Sequence, residues 1–201
     1  MAQKKQKGRI TSVERITKET QVKVTLNVDG EGKYQNDTGI PFLDHMLDLF
    51  SKHGLFDLTT KAKGDIHIDY HHTVEDVGIT LGTAFKKALG DKYGIKRYGS
   101  VTVPMNEALC TCAIDISNRP FLVFNATLPS RKTRDFDTEL IKEFFDAFVT
   151  NAWITLHIVL HQAENTHHAI ESIFKAFGQA MDQATLIDPR KKGVPSTKGV
   201  L

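Results

Sequence analysis

His71-His72-Thr73-Val74-Glu75-Asp76 is the stretch on which the reading of this chain turns. Two adjacent imidazoles with a carboxylate close behind, at the head of an amphipathic helical pattern, do not solve a packing problem. The stretch has an echo, His167-His168-Ala169-Ile170-Glu171, at an offset of 96 residues.

Working outward, the repeat extends over most of the sequence. An offset of 88 carries Glu19, Val22, Val24, Leu26 and Val28 onto Glu107, Cys110, Cys112, Ile114 and Ile116. An offset of 98 carries His45 onto Glu143, Phe50 onto Phe148 and Leu58 onto Leu156. The offset of 96 carries His71, His72, Glu75 and Gly82 onto His167, His168, Glu171 and Gly178. Small changes of offset are what loop insertions between the elements of a duplicated unit produce. Apolar strands match easily by chance, so the recurrence of H-H-x-x-E at one place in the repeat carries the weight.

The elements follow from periodicity. Residues 9–29 read as strand, with Val22, Val24, Leu26 and Val28 alternating, and 30–39 as a polar loop. A helix begins near Pro41, a residue suited to a first turn, and stops before Gly54. Strand-like residues cover 55–70, broken at Lys63-Gly64-Asp65, and a second helix covers about 73–89. After a connection at 90–99 come a strand pair (100–116 and 121–126), a helix at 138–151, a strand at 153–160 and a helix at 166–184. Each half is then two strands, a helix, one or two strands and a helix. That order predicts an α+β layered fold, duplicated in tandem within one domain spanning 9–201. The repeats run over about 9–96 and 97–187. Residues 1–8 read as a disordered basic tail, and 188–201, rich in Gly, Pro, Lys and Ser, as an extended C-terminal tail.

Bulk composition narrows the class. The chain has 201 residues, 40% hydrophobic and 25% charged, with 26 basic against 24 acidic side chains for a net charge of +2. That balance does not announce a nucleic-acid binder, and the basic runs at 4–7, 131–134 and 190–192 read as solvated tails or loops. No apolar run approaches the roughly 18 residues of a membrane span, and no apolar signal core follows the first lysines. Cys110 and Cys112, two apart on one strand face, make poor disulfide partners and read as small buried hydrophobes. The expectation is a cytoplasmic protein with neither nucleic acid nor membrane as partner.

On a helix, residues four apart share a face and neighbours diverge by about 100°. His71 with Glu75, and His167 with Glu171, therefore converge in pairs, while His72 and His168 look elsewhere. Two metal sites use every group: one takes His71, Glu75 and His168, the other His167, Glu171 and His72, with the odd histidine free to come from another subunit. His45 and its repeat image Glu143 are natural fourth ligands. Imidazole and carboxylate without sulfur favour Mn²⁺, Fe²⁺ or Zn²⁺, and six-coordinate sites with open positions favour Mn²⁺. The bland alternative is histidines that cap helices. His157 and His161, on or after an apolar strand, read as satisfied or surface residues, whereas His53, ending the His45 helix, has a chance of facing the site.

Other residues point to a phosphorylated ligand. Arg97, Arg119 and the segment Pro195-Ser196-Thr197-Lys198-Gly199 supply guanidiniums, hydroxyls, an amide and an ammonium, the donors a phosphate monoester takes. Lys175 lies four residues after Glu171, close to the metal-bound ligand or in a plain ion pair. Glu19, opening the second strand, is placed to act as acid or base.

With these residues assembled, the chain resembles the imidazoleglycerol-phosphate dehydratase family. The likeness rests on Thr38-Gly39-Ile40-Pro41-Phe42-Leu43-Asp44-His45-Met46-Leu47, Asp69-Tyr70-His71-His72-Thr73-Val74-Glu75-Asp76, His167-His168-Ala169-Ile170-Glu171 with Lys175, and the ending from Pro195 to Leu201. It covers about residues 9–201. It implies two mostly antiparallel sheets with helices between them, of the ribosomal protein S5 domain 2-like kind. It also implies a dinuclear Mn²⁺ site (two ions per subunit) and a 24-subunit homo-oligomer whose active sites are shared between subunits. The family's ligand positions fall on His45, His71, His72, Glu75, His167, His168 and Glu171. Position 143 often carries His in the family and is Glu here, where a carboxylate still suits Mn²⁺. The phosphate positions fall on Arg97, Arg119, Ser196 and Lys198.

The implied reaction is loss of water from imidazole glycerol phosphate to give imidazole acetol phosphate, in histidine biosynthesis. The metals would hold the ring as imidazolate, and Glu19 or Glu171 would remove the carbon-bound proton. Glu19 is preferred, since a metal ligand makes a poor free base. A dinuclear phosphohydrolase is the competing reading, but it calls for several Asp residues and a bridging carboxylate. A non-catalytic metal-binding or nucleic-acid-associated protein explains the histidines or the basic runs, not both with the repeat.

Overall fold

Val22, Val24 and Leu26 turn inward from one strand while their neighbours face out, and Cys110, Cys112 and Ile114 do the same from another. In the computed structural model, which describes residues 8–201, each strand is the second of a four-stranded sheet. The first half comprises β1 (Ile10–Ile16), β2 (Thr20–Asn27), β3 (Tyr34–Asp37), α1 (Pro41–Gly54), β4 (Asp57–Gly64) and α2 (His71–Leu89). The second comprises β5 (Tyr98–Met105), β6 (Ala108–Asp115), β7 (Phe121–Asn125), the short hairpin β8 (Lys132–Thr133) and β9 (Phe136–Asp137), α3 (Leu140–Ala152), β10 (Thr155–Gln162) and α4 (Thr166–Thr185). The sheets have the orders β1-β2-β4-β3 and β5-β6-β10-β7, the same topology twice.

The repeat is visible residue by residue in the register. Val24 pairs with Thr60 as Cys112 pairs with Ile158, and Val13 pairs with Val24 as Val101 pairs with Cys112. The offset steps from 88 to 98 where the chain adds the β8/β9 hairpin, and from 98 to 96 in the shorter turn before α4. Leu55 and Trp153, which end α1 and α3 in the left-handed conformation, are also 98 apart.

Between the sheets lie the four helices, and they cross-match. α1 packs on α4 and α2 on α3, so each half's helices rest on those of the other half. α2 covers the first sheet and α4 the second. Two glycines make the approach possible: a Cβ on Gly82 would run into the Phe148 carbonyl, and one on Gly178, its image, into the Phe50 carbonyl. Phe50, Phe85, Phe148 and Phe177 fill the seam, with ring centroids 4.9 Å apart for Phe50 and Phe177 and 5.0 Å for Phe148 and Phe177. Burying each contributes about 1.5–3 kcal/mol.

The expected α+β class, the duplication and the helix layer hold, with corrections of detail. Both sheets are mixed, because β3 runs parallel to β4 and β7 to β10. The supposed loop at 30–39 contains β3, whose residues Tyr-Gln-Asn-Asp carry little strand propensity and are held by pairing with β4. The basic run at 131–134 enters the β8/β9 hairpin. Run 4–7 lies outside the described residues. Both cysteines are free and buried, and no helix among the described residues is long and apolar enough to cross a membrane.

Candidate metal centre and phosphate cleft

The two histidine turns are built alike. Asp69 Oδ1 accepts the backbone N–H of His71 at 2.8 Å, and Asn165 Oδ1, its image, accepts that of His167 at 2.8 Å. A side-chain oxygen two residues ahead satisfies an otherwise orphaned N–H, so the histidine pair lies in the first turn of each helix. For that reason α2 begins at His71 rather than at Thr73. Adjacent rings then diverge, with interplanar angles of 89° for His71 and His72 and 87° for His167 and His168.

In the second half the expected pair converges and gains a partner from the first. His45 Nε2 and His167 Nε2 lie 2.9 and 3.0 Å from the same Glu171 oxygen, Oε1. Lys175 Nζ donates to the other oxygen at 2.7 Å and also contacts Met105 Sδ at 3.2 Å. Burial works to raise the Glu171 pKa, but Lys175, His45 and His167 together hold it down to about 2. The carboxylate is encircled by these three groups, and its side chain is 9% exposed. The ligand atoms of His45, His167 and Glu171 lie within 4.8 Å of one another. Two imidazole nitrogens and a carboxylate oxygen aimed at one point fit a divalent ion of the Mn²⁺–Zn²⁺ range. His53 lies close enough that burial, then Lys175, lower its pKa.

The corresponding set in the first half, His71, Glu75 and Glu143, is not drawn together among the described residues. His71 lines a groove of about 210 Å³ and Glu143 one of about 820 Å³, the two meeting at Asp137 and Glu139. Where Glu171 has His45 and Lys175, Glu75 has the carboxylate Glu143 and the apolar Ile79 at the matching positions of the repeat.

His72 and His168 turn to other carboxylates. His72 Nδ1 lies 2.9 Å from Asp65 Oδ2, and His168 Nδ1 2.9 Å from Glu107 Oε2. The bond from Asp65 raises the His72 pKa, and the bond from His168 heads the causes that bring Glu107 down to about 2. Glu19, image of Glu107, stands 3.9 Å from His72 Nδ1 with 57% of its side chain exposed. Sequence reading passed over Asp65 and Glu107 as site residues, although the offset of 88 had already matched Glu107 to Glu19.

A separate cleft of about 850 Å³ gathers Arg97, Arg119, Ser196, Thr197 and Lys198. Arg97 is largely committed within it. Its Nε and Nη2 donate to Asp115 at 2.7 and 3.1 Å, and Nη1 donates to the Pro195 carbonyl at 2.8 Å, tying the tail to β6. Arg119 is the free guanidinium, 68% exposed and 3.7 Å from Asp115. Arg97 and Asn118 sit at φ of 78° and 58°, a cost of order 1 kcal/mol each that the surrounding bonds hold in place. The cleft lies at the Tyr98 end of β5, and the Lys175–Met105 contact at the other. Eight strand residues put the two about 23 Å apart, and the 13 steps of α4 from Glu171 to Ala184, whose carbonyl accepts Arg97 N–H, give about 20 Å.

Fold and site together define a duplicated α+β protein with an imidazole–carboxylate centre able to hold a divalent metal and a distant cationic cleft. The family model for imidazoleglycerol-phosphate dehydratase matches residues 38–181. Proteins of that name from Pelobacter propionicus and Bacillus licheniformis are 58% and 60% identical to the chain. The alignments cover 96% of this chain and 99% of the first relative, and 93% and 96% for the second. The crystal structure of the Staphylococcus aureus enzyme superposes with a TM-score of 0.81 at 41% identity, covering 89% of this chain and 99% of that one. That of the Pyrococcus furiosus enzyme, in complex with (S)-C348, gives 0.82 at 35%, covering 94% and 100%. The chain belongs to the imidazoleglycerol-phosphate dehydratase family, a family of hydro-lyases.

Proposed function

We propose that the chain removes water from D-erythro-imidazole glycerol 3-phosphate to give imidazole acetol phosphate in histidine biosynthesis, using two Mn²⁺ ions per subunit in sites completed by neighbouring copies. One observation carries the reading. The imidazole-type centre and the phosphate-type cleft of a single chain lie about 20 Å apart, too far for one small substrate to bridge. Each is complete only if the other is supplied by another copy, which supports a homo-oligomer with shared active sites, as in the 24-subunit assembly. The domain is taken as 9–201, with 188–201 serving as the phosphate-binding tail, and two free buried cysteines go with a cytoplasmic setting.

The metal ligands would be His45, His167, Glu171 and a neighbour's copy of His72 in one position, and His71, Glu75, Glu143 and a neighbour's copy of His168 in the other. Bound there, the metal supplies positive charge that favours the deprotonated imidazole ring and weakens the adjacent C–O bond. Lys175 anchors Glu171 and, with His53, faces the ligand. Arg97, Arg119, Ser196, Thr197 and Lys198 hold the phosphate, and Arg97 also keeps the tail in position through Pro195. Glu19 takes the proton from the substrate carbon: its carboxylate is 57% exposed and stands 3.9 Å from His72, without the short bond that holds Glu107. The hydroxyl on the carbon next to the ring leaves with a proton as water, and the enol that remains becomes the ketone.

The test strips the protein with a chelator, restores Mn²⁺, and follows the enolisable ketone product. Manganese-dependent turnover is expected, and its absence with metal still bound would discard the dehydratase. Glu19→Gln should reduce turnover by about 10²- to 10⁴-fold, the weight of a general base, with metal content unchanged.

A further inference from the structure

Three features outside the ligand set merit comparison: the buried Lys92 on Asn118, the His161–Thr111–Thr102 chain on the outer sheet face, and the carboxylates behind His72 and His168. The last carries furthest, because it occurs twice, at related places, by different means.

We propose that Asp65 and Glu107 are positioning residues that fix which nitrogen of His72 and of His168 is offered to metal. The proposal rests on the metal reading above. In each half the second histidine of the pair turns away from its own cluster and gives Nδ1 to a carboxylate, at 2.9 Å in both cases. Among the described residues neither Nε2 has a partner within the chain. A carboxylate on Nδ1 holds the proton there, leaves the lone pair on Nε2, and fixes the plane of the ring. That is the state an imidazole needs to complete a site whose other ligands belong to a neighbouring copy.

The two halves reach this state differently. In the second half the carboxylate is Glu107, which also accepts Asn165 N–H on Oε1 at 2.8 Å and so is committed by both oxygens. In the first half its image, Glu19, has been displaced. Asp65, from the end of β4, makes the short bond, and Glu19 stands back at 3.9 Å. One duplicated carboxylate thus became a fixed support in one half and a free, exposed group in the other. The recruitment of Asp65 is what leaves Glu19 available for proton transfer.

The experiment measures Mn²⁺ affinity of the full chain by chelator competition, with the ion alone as probe, for wild type, Glu107→Gln, Glu107→Ala and Asp65→Asn. In Glu107→Gln the retained oxygen stays on Asn165 N–H, so the amide NH₂ faces His168 Nδ1 and drives the proton to Nε2. A loss of about 10- to 100-fold in affinity is expected for Glu107→Gln and for Asp65→Asn. Glu107→Ala, which leaves the ring free to choose, should bind Mn²⁺ better than Glu107→Gln although it folds less stably. A purely structural role would rank those two variants the other way, and that ranking, or wild-type affinity in Glu107→Gln and Asp65→Asn, would overturn the assignment. The ¹⁵N shifts of the imidazoles report the tautomer directly and decide the matter should a variant fold poorly. Wild-type protein that takes up no Mn²⁺ would overturn the metal reading itself, whatever the variants do.

Discussion

The turns at His71 and His167 come from one duplicated pattern, yet they differ as metal centres in waiting. Around Glu171 the chain assembles two imidazoles and a lysine, all within hydrogen-bonding distance of one carboxylate. Around Glu75 the matching positions are a carboxylate and an isoleucine, and nothing draws the ligands together. The second turn is held by its own ion pairs, and the first has, among the described residues, no such pairs at the matching positions. Backbone symmetry therefore does not carry over to electrostatics: positions 79 and 143 differ in charge from their images at 175 and 45.

The largest expected effect tests that difference in stability. Glu171→Ala leaves Lys175, only 13% exposed, without its carboxylate and should cost about 3 kcal/mol in denaturant unfolding of the metal-stripped protein. Glu75→Ala should stay within about 0.5 kcal/mol. Equal losses would erase the contrast. A smaller effect is expected in metal choice. Glu143→His makes the first ligand set the image of the second, and competition between Mn²⁺ and Zn²⁺ should move toward Zn²⁺ by about tenfold. An unchanged ratio would mean that Glu143 is not a ligand. Smallest is the acid dependence. The Glu171 pKa is lowered to about 2 from 4.5, so its contribution to stability is fully present above about pH 4.5 and is lost as pH falls through 2. Lys175→Ile, which gives the second turn the residue of the first, should flatten that part of the pH–stability curve in metal-free protein. A curve of unchanged shape would assign the acid sensitivity elsewhere.

Much of this was written in residue spacing. The offsets of 88 and 98 carry the strand pairs of one half onto those of the other, because an inserted loop changes the numbering between elements and leaves the pairing inside them alone. The divergence of His72 from His71 followed from helix geometry. What escaped were features fixed by tertiary contact. β3 is a strand only because β4 lies beside it, and nothing in the spacing foretells that the Arg97 guanidinium is clamped on Asp115. Asp65 could not be singled out because its partner His72 lies seven residues on across an irregular turn, with no periodicity to join them. Glu107 carried a signal, its match to Glu19, but the sequence does not say that one of the two would be bound and the other free.

The cross-matching of the helices has a consequence for how the chain is made. The seam joins α1 to α4, elements more than a hundred residues apart. While the ribosome is still producing the second half, the first sheet can form with α2 against it, but α1 must wait for a partner made more than a hundred residues later. Closing so long a loop is slow, and until then the Phe50 face of α1 is open to solvent and to other nascent chains. The helix seam should therefore close only once α4 has been made, with a chaperone's need to shield α1 set by the time its partner takes to arrive.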